Sequence, residues 1–139
     1  MDLSDQTALV TGATSGIGRA TALLFAASGG SVAITGRNEV ALAALGAEIK
    51  ALGSMAVPIV ADLTQRADRV RVVTDAVDAL GGLDLLVNAA GVIATGTVES
   101  TSLDDFEAML ALNTTAPFHM MQLATPALKA RKGAIVNVS

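Results

Sequence analysis

Three glycines, spaced Gly12-x-x-x-Gly16-x-Gly18, stand between an apolar run, Thr7-Ala8-Leu9-Val10, and the start of a helical pattern. Glycine has no Cβ, so a turn built from it lets the backbone come close to a phosphate. The helix that follows offers unpaired N–H groups and a partial positive charge at its first turn. Together these are the chemistry of holding a dinucleotide diphosphate, with Thr14, Ser15 and Ile17 completing the turn. The competing reading is a plain tight turn whose glycines only pack a helix. Gly18 serves close helix–strand contact under either reading.

The elements that must position this turn alternate along the whole chain. Strands are expected around Leu9-Val10, Val32–Thr35, Val57–Val60, Leu83–Val87 and Ala134–Val138. Between them, helical stripes recur. Ile17, Ala20, Leu23, Leu24 and Ala27 mark the first, over residues 16–27. Asn38 opens the second, with Val40, Leu45, Ile49 and Leu52 facing inward and Gly53 ending it. Thr64 is expected to cap the third, which uses Val70, Val73, Val77 and Leu80 and stops at Gly81-Gly82. After a loop rich in Gly, Ala and Thr, Ser102 and Asp105 form a capping-box pattern. A long helix then runs towards Leu128, bent near Pro117. Its stretch 108–128 has no charged residue, which predicts burial on more than one face. Pro58 cannot donate a ladder hydrogen bond and assigns the third strand to a sheet edge.

Regular βα alternation predicts an α/β fold, a Rossmann-like doubly wound parallel sheet in the order 3-2-1-4-5, forming one domain over residues 1–139. The site then falls at the switch between strands one and four.

With the strands in place, the chain resembles the short-chain dehydrogenase/reductase family. The resemblance rests on Thr11–Gly18, on Asp62-Leu63 after the third strand, on Asn88-Ala89-Ala90-Gly91 after the fourth, on Asn113 in the long helix, and on Asn137-Val138-Ser139 at the fifth. It implies an oxidoreductase that moves a hydride between a nicotinamide cofactor and a small alcohol or carbonyl substrate. It also implies roles. Gly12–Gly18 cradle the diphosphate. Asp62 meets the adenine amino group and the Leu63 N–H meets the ring. Asn88, Ala89, Ala90 and Gly91 line the ribose and nicotinamide side, with Ala89 departing from the family's usual asparagine. Asn113 anchors a water in a proton relay. Bland alternatives stand beside two of these: a solvated acid at a helix start for Asp62, and a polar residue at a helix bend for Asn113.

The choice between the two nicotinamide cofactors turns on charge. A carboxylate ending the second strand binds a ribose 2′-hydroxyl and repels a 2′-phosphate, whereas this chain has Gly36 followed by Arg37. A guanidinium suits a phosphate, which favours NADP(H) over NAD(H).

The family's proton donor is a tyrosine with a lysine four residues later, yet these 139 residues contain no tyrosine. Ser139 aligns one residue short of the family's catalytic serine. The expectation is therefore the N-terminal, cofactor-binding part of such an enzyme, truncated after its fifth strand and inactive alone. A non-enzymatic nucleotide-binding module and an inactive remnant are the alternatives.

Composition narrows the rest. The net charge is −4 with no Lys/Arg cluster, which argues against nucleic acid and membrane surfaces as partners. There is no cysteine, hence no thiolate metal site, and no metal is expected. The acidic start, Met1–Asp5, lacks a signal-peptide shape, so the cytoplasm is the default and the sequons at Asn113 and Asn137 are read as chance. His119, the one histidine, reads as a packed helix residue rather than a base. Met109, Met120 and Met121 read as core or interface filler. The helix over 103–128 is expected to join copies into a homo-oligomer.

Overall fold

The computed structural model describes residues 1–139. Its order is β1 (Thr7–Val10), α1 (Gly16–Ala27), β2 (Ser31–Gly36), α2 (Glu39–Ala51), β3 (Ala56–Val60), α3 (Arg66–Leu80), β4 (Leu85–Asn88), α4 (Leu103–Leu110), a π-helical turn (Ala111–Thr115), α5 (Ala116–Arg131) and β5 (Ala134–Asn137). All five strands are parallel, in the order β3-β2-β1-β4-β5. Pro58 lies on the edge strand β3, as its missing N–H requires. Val10, on the central strand, pairs with Ile34 on one side and Val87 on the other.

Strand alternation divides the core into two layers. Leu9, Ala33 and Leu86 face α3 and α5, where they meet Val72, Ala76, Met120 and Leu128. Ala8, Val10, Val32, Ile34 and Val87 face α1 and α2, where they meet Ala22, Phe25, Leu42 and Ile49. Every residue of β1 is buried and every residue of β5 is exposed.

The helix faces differ from the sequence stripes. On α1 the sheet is met by Gly18, Ala22, Phe25 and Ala26, while Ile17, Ala20, Leu24 and Ala27 are exposed. On α2 the buried set is Leu42, Leu45, Gly46 and Ile49, with Val40 and Leu52 outside. On α3 it is Arg69, Val72, Val73 and Ala76, with Val70 outside. The reason is steric on α1, which approaches the sheet through Gly18, Ala22 and Ala26 and leaves Ile17 and Leu24 outside. A stripe weighted by large residues therefore points off the contact line.

Three helix starts contrast. Asn38 Oδ1 accepts from Ala41 N at 2.9 Å and Ser102 Oγ from Asp105 N at 3.1 Å, so both caps form. Thr64 does not cap α3. Its N–H and hydroxyl both bond Asp62 Oδ1, at 3.0 and 2.8 Å, which leaves Gln65 at the N-cap position without a side-chain cap.

The long helix changes winding at the π turn, one turn ahead of Pro117, and Pro117 opens α5 where its missing N–H costs little. Its burial is one-sided, on Ala116, Met120, Ala124 and Leu128, and α4 buries nothing. The expected burial on more than one face is thus corrected: lack of charge over 108–128 marks a partly exposed apolar surface that includes Leu110 and Phe118. No helix is long and apolar enough to cross a membrane.

Candidate functional site

The carboxyl ends of β1, β2, β3 and β4 open into one cleft of about 470 Å³. It collects Gly12, Thr14, Ser15, Gly16, Ile17, Arg37, Asp62, Leu63, Ala89, Ala90 and Gly91 from four separate segments of sequence. It also takes in Gly36, Ala61, Thr64, Leu112 and Val138.

The glycine turn is shaped by its neighbours. Gly12 has φ +61°, and a Cβ there would lie 2.6 Å from the Ala89 carbonyl oxygen and 2.7 Å from Ala90 Cα. A Cβ on Gly18 would collide with the Gly12 carbonyl, so Gly18 is buried beneath the turn and does not line the cleft. Gly16 has φ +53° and nothing within 4 Å of where its Cβ would stand. That side of the turn is open to the cleft. Ser15 caps α1 by position only and donates or accepts no side-chain cap bond. The N–H groups of Gly16, Ile17 and Gly18 make no hydrogen bond in the chain, so α1 begins with unpaired donors at the cleft.

Thr11 locks this turn to β4. Its buried hydroxyl accepts from Ala89 N and Ala90 N, both at 3.1 Å. Asn88 lies behind the cleft rather than in it. Its Nδ2 donates to Asn137 Oδ1 at 2.9 Å, tying β4 to β5, and its own Oδ1 is buried without a partner.

Arg37 stands exposed at the rim beyond Gly36 and forms no ion pair. Across the cleft, the Asp62–Thr64 turn is held on two sides. Asp62 N donates to Asp68 Oδ2 at 2.7 Å. That bond first, and Arg71 second, keep the Asp68 carboxyl below its ordinary range. From the other side, Arg69 Nη1 donates to the Leu63 carbonyl at 2.6 Å and the Thr64 carbonyl at 3.2 Å. The Leu63 N–H has no partner within the chain.

Asn113 sits on the π turn outside the cleft lining. Its side chain is committed to a loop residue: Oδ1 accepts from Val92 N at 2.9 Å and Nδ2 donates to Val92 O at 2.7 Å. It is thus a clamp between the π turn and the loop following Gly91. Ser139 is exposed and also outside the lining, while its neighbour Val138 is part of it. His119 is half-buried on α5 and accepts from Arg69 at Nδ1, 2.8 Å. Burial first, and the charges of Arg69 and Arg66 after it, hold its pKa below the ordinary histidine value. Met120 is core, and Met109 accepts a bond from Ala94 N.

Sequence reasoning missed Thr64, Ala61, Leu112 and Val138 as lining, and Arg69 as a brace. Thr64 and Ala61 flank Asp62 and were within reach of the strand-end rule. Leu112 and Arg69 depend on how α3 and the π turn meet the sheet, which no local pattern reports.

The family model for short chain dehydrogenases matches residues 6–139, and the chain belongs to that family. It is 40% identical over 138 residues to a 2,5-dichloro-2,5-cyclohexadiene-1,4-diol dehydrogenase of Sphingobium indicum, covering 99% of this chain and 55% of that protein. It is 36% identical to a 3-oxoacyl-[acyl-carrier-protein] reductase of Thermotoga maritima, covering 100% of this chain and 57% of the other. The crystal structure of a putative short-chain alcohol dehydrogenase from Sinorhizobium meliloti superposes with a TM-score of 0.92 at 35% identity, over 98% of this chain and 54% of that one. The chain spans about half the length of the curated relatives it matches.

Proposed function

We propose that these residues form the NADP(H)-binding part of an oxidoreductase that transfers hydride between the nicotinamide and a small alcohol or carbonyl substrate. The single observation that carries the reading is the row of unpaired N–H donors at the mouth of α1, above a glycine turn that is open at Gly16. An anion is the ligand such a terminus favours. Gly12–Ile17 would hold the diphosphate, with Gly18 setting the turn from below.

The Asp62 carboxylate and the free Leu63 N–H present an acceptor and a donor side by side, which fits the edge of adenine. Arg37, unpaired at the rim, gives a planar fork to a ribose 2′-phosphate and supports NADP(H) over NAD(H). Ala89, Ala90 and Gly91 offer a close, uncluttered wall to the ribose and the ring. The nicotinamide, when bound, supplies or accepts the hydride.

Asn113 acts in this reading as the clamp that fixes the wall at Val92 and keeps the π turn in place for a proton relay. Ser139 stands at the end of the catalytic strand without itself facing the cleft. A tyrosine is absent from the 139 residues, so by themselves they bind cofactor without turnover. The apolar surface on 103–128 is assigned to contact between copies. The protein is taken to work in the cytoplasm on a small-molecule substrate.

Titration of NADPH and NADH, followed by nicotinamide fluorescence, tests the reading. Saturable binding with NADPH the tighter ligand is expected. Absence of binding to either at millimolar concentration would overturn it and favour an inactive remnant.

A further inference from the structure

Arg69 is an unusual member of the α3 core face. It occupies the same stripe as Val72, Val73 and Ala76 and is only 6% exposed. No carboxylate lies within ion-pair distance of it. A buried charge without a counter-ion is costly unless every donor is well used. Here the donors are aimed. Nη1 meets the carbonyls of Leu63 and Thr64, and Nε meets His119 Nδ1 on α5, fifty residues away in sequence.

We propose that Arg69 is a positioning residue for the adenine end of the cleft: its Nη1 holds the Asp62–Thr64 turn, and its own aim is fixed by the Nε bond that only a neutral His119 accepts. This rests on the cofactor reading above. The Arg69 side chain touches no ligand position. It acts on the turn whose Asp62 carboxylate and Leu63 N–H face the cleft.

The histidine makes the brace sensitive to acid. The guanidinium Nε–H is always a donor, so Nδ1 must carry a lone pair and the ring must be neutral. Protonation would set two donors and two positive charges against each other. The charged groups around His119 do not compensate. Arg66 and Arg69 on α3 are both cations that disfavour the imidazolium. Of the remaining α3 charges beside the turn, Asp68 and Arg71 bond each other. Asp62 has one oxygen committed to Thr64. On its own helix, α5, no charged residue occurs before Lys129.

The sign follows from the depressed pKa. The braced state favours neutral His119, so the support is complete above about pH 6.5, the ordinary histidine value, and is lost as the pH falls through the lower folded value. Cofactor affinity falls with it.

The test uses NAD⁺ and ADP-ribose as adenine-bearing probes and inorganic diphosphate as a probe of the glycine turn alone, by calorimetry on the full chain at pH 7.5 and 5.5. The wild-type protein should bind ADP-ribose more weakly at the lower pH, by up to about 10-fold as His119 takes its proton. His119→Gln keeps an acceptor that does not titrate. It should restore the binding seen at pH 7.5 and flatten the pH dependence. His119→Leu removes the acceptor and should bind weakly at both pH values. Arg69→Met should weaken ADP-ribose by about 10-fold while diphosphate is unaffected. Should Arg69→Met not fold, the two histidine variants decide the matter.

Equal pH dependence in wild type and His119→Gln, or wild-type affinity in His119→Leu, would overturn the inference and leave the cofactor reading standing. No binding of NADPH, NAD⁺ or ADP-ribose by the wild type at either pH would overturn both.

Discussion

The two ends of the cleft are built differently. At one, Arg37, Asp62 and the unpaired N–H donors of α1 present charge and directed hydrogen-bonding groups, and Asp68 and Arg69 brace the turn that carries Asp62. At the other, Ala89, Ala90, Gly91, Leu112 and Val138 form a wall without an ionisable side chain. That wall is fixed from behind, by Thr11 under Ala89 and Ala90 and by Asn113 at Val92. The difference teaches how the cleft divides: directed polar groups gather at the ends of β1, β2 and β3, while the β4 side supplies shape. A reacting group that exchanges protons has no representative among the residues of that wall.

The largest effect is expected where both ends meet. Gly12→Val would place its Cβ against Ala89 O in a left-handed backbone region, at a cost of about 3 kcal/mol or more. It should lower the melting temperature and weaken NADPH about 100-fold or more, since 1.4 kcal/mol is tenfold. Wild-type affinity in a folded Gly12→Val protein would mean that the turn does not touch the cofactor.

Arg37→Leu separates the rim from the wall. It should reduce the preference for NADPH over NADH by about 10- to 100-fold, the scale of losing a charged hydrogen-bonding partner. NADH affinity should stay within twofold. Parallel titrations measure this, and an unchanged ratio would return Arg37 to the status of a surface charge.

Asp68 offers a smaller effect, read through pH. Its folded pKa is lowered, so its contribution to stability is present above about pH 3.8 and fades as the pH falls through the folded value. Asp68→Asn should lower the melting temperature at pH 7 and converge with wild type near pH 3. Curves that stay parallel across that range would show that the bond to Asp62 N carries no linkage.

The smallest change lies outside the cleft. Ser102→Ala removes the cap of α4 and should cost about 1 kcal/mol of stability without altering cofactor affinity. A change in affinity would mean that α4 and the cleft are coupled more tightly than their packing indicates.

How much of this was readable beforehand follows from the physics of each part. The strand order was legible because βα alternation, an edge proline and a glycine turn all constrain it locally. Eleven of the expected cofactor residues share the cleft because strand ends converge at the switch point in any sheet of this order. Gly18, Asn88, Asn113 and Ser139 do not line it: Gly18 packs beneath Gly12, Asn88 and Asn113 bond sequence-distant partners, and Ser139 is exposed outside the lining. Helix faces were misread where contact is made by small residues, as on α1. The Arg69–His119 pair was invisible, since two unremarkable positions on different helices become one device only when α3 packs on α5.

The most direct test of the central claim is a crystal structure of this protein with NADP⁺ bound. The account predicts the diphosphate on the N–H groups that open α1, the adenine edge at Asp62 and Leu63, and the 2′-phosphate within reach of Arg37. Coenzyme bound elsewhere, with the glycine turn untouched, would contradict it.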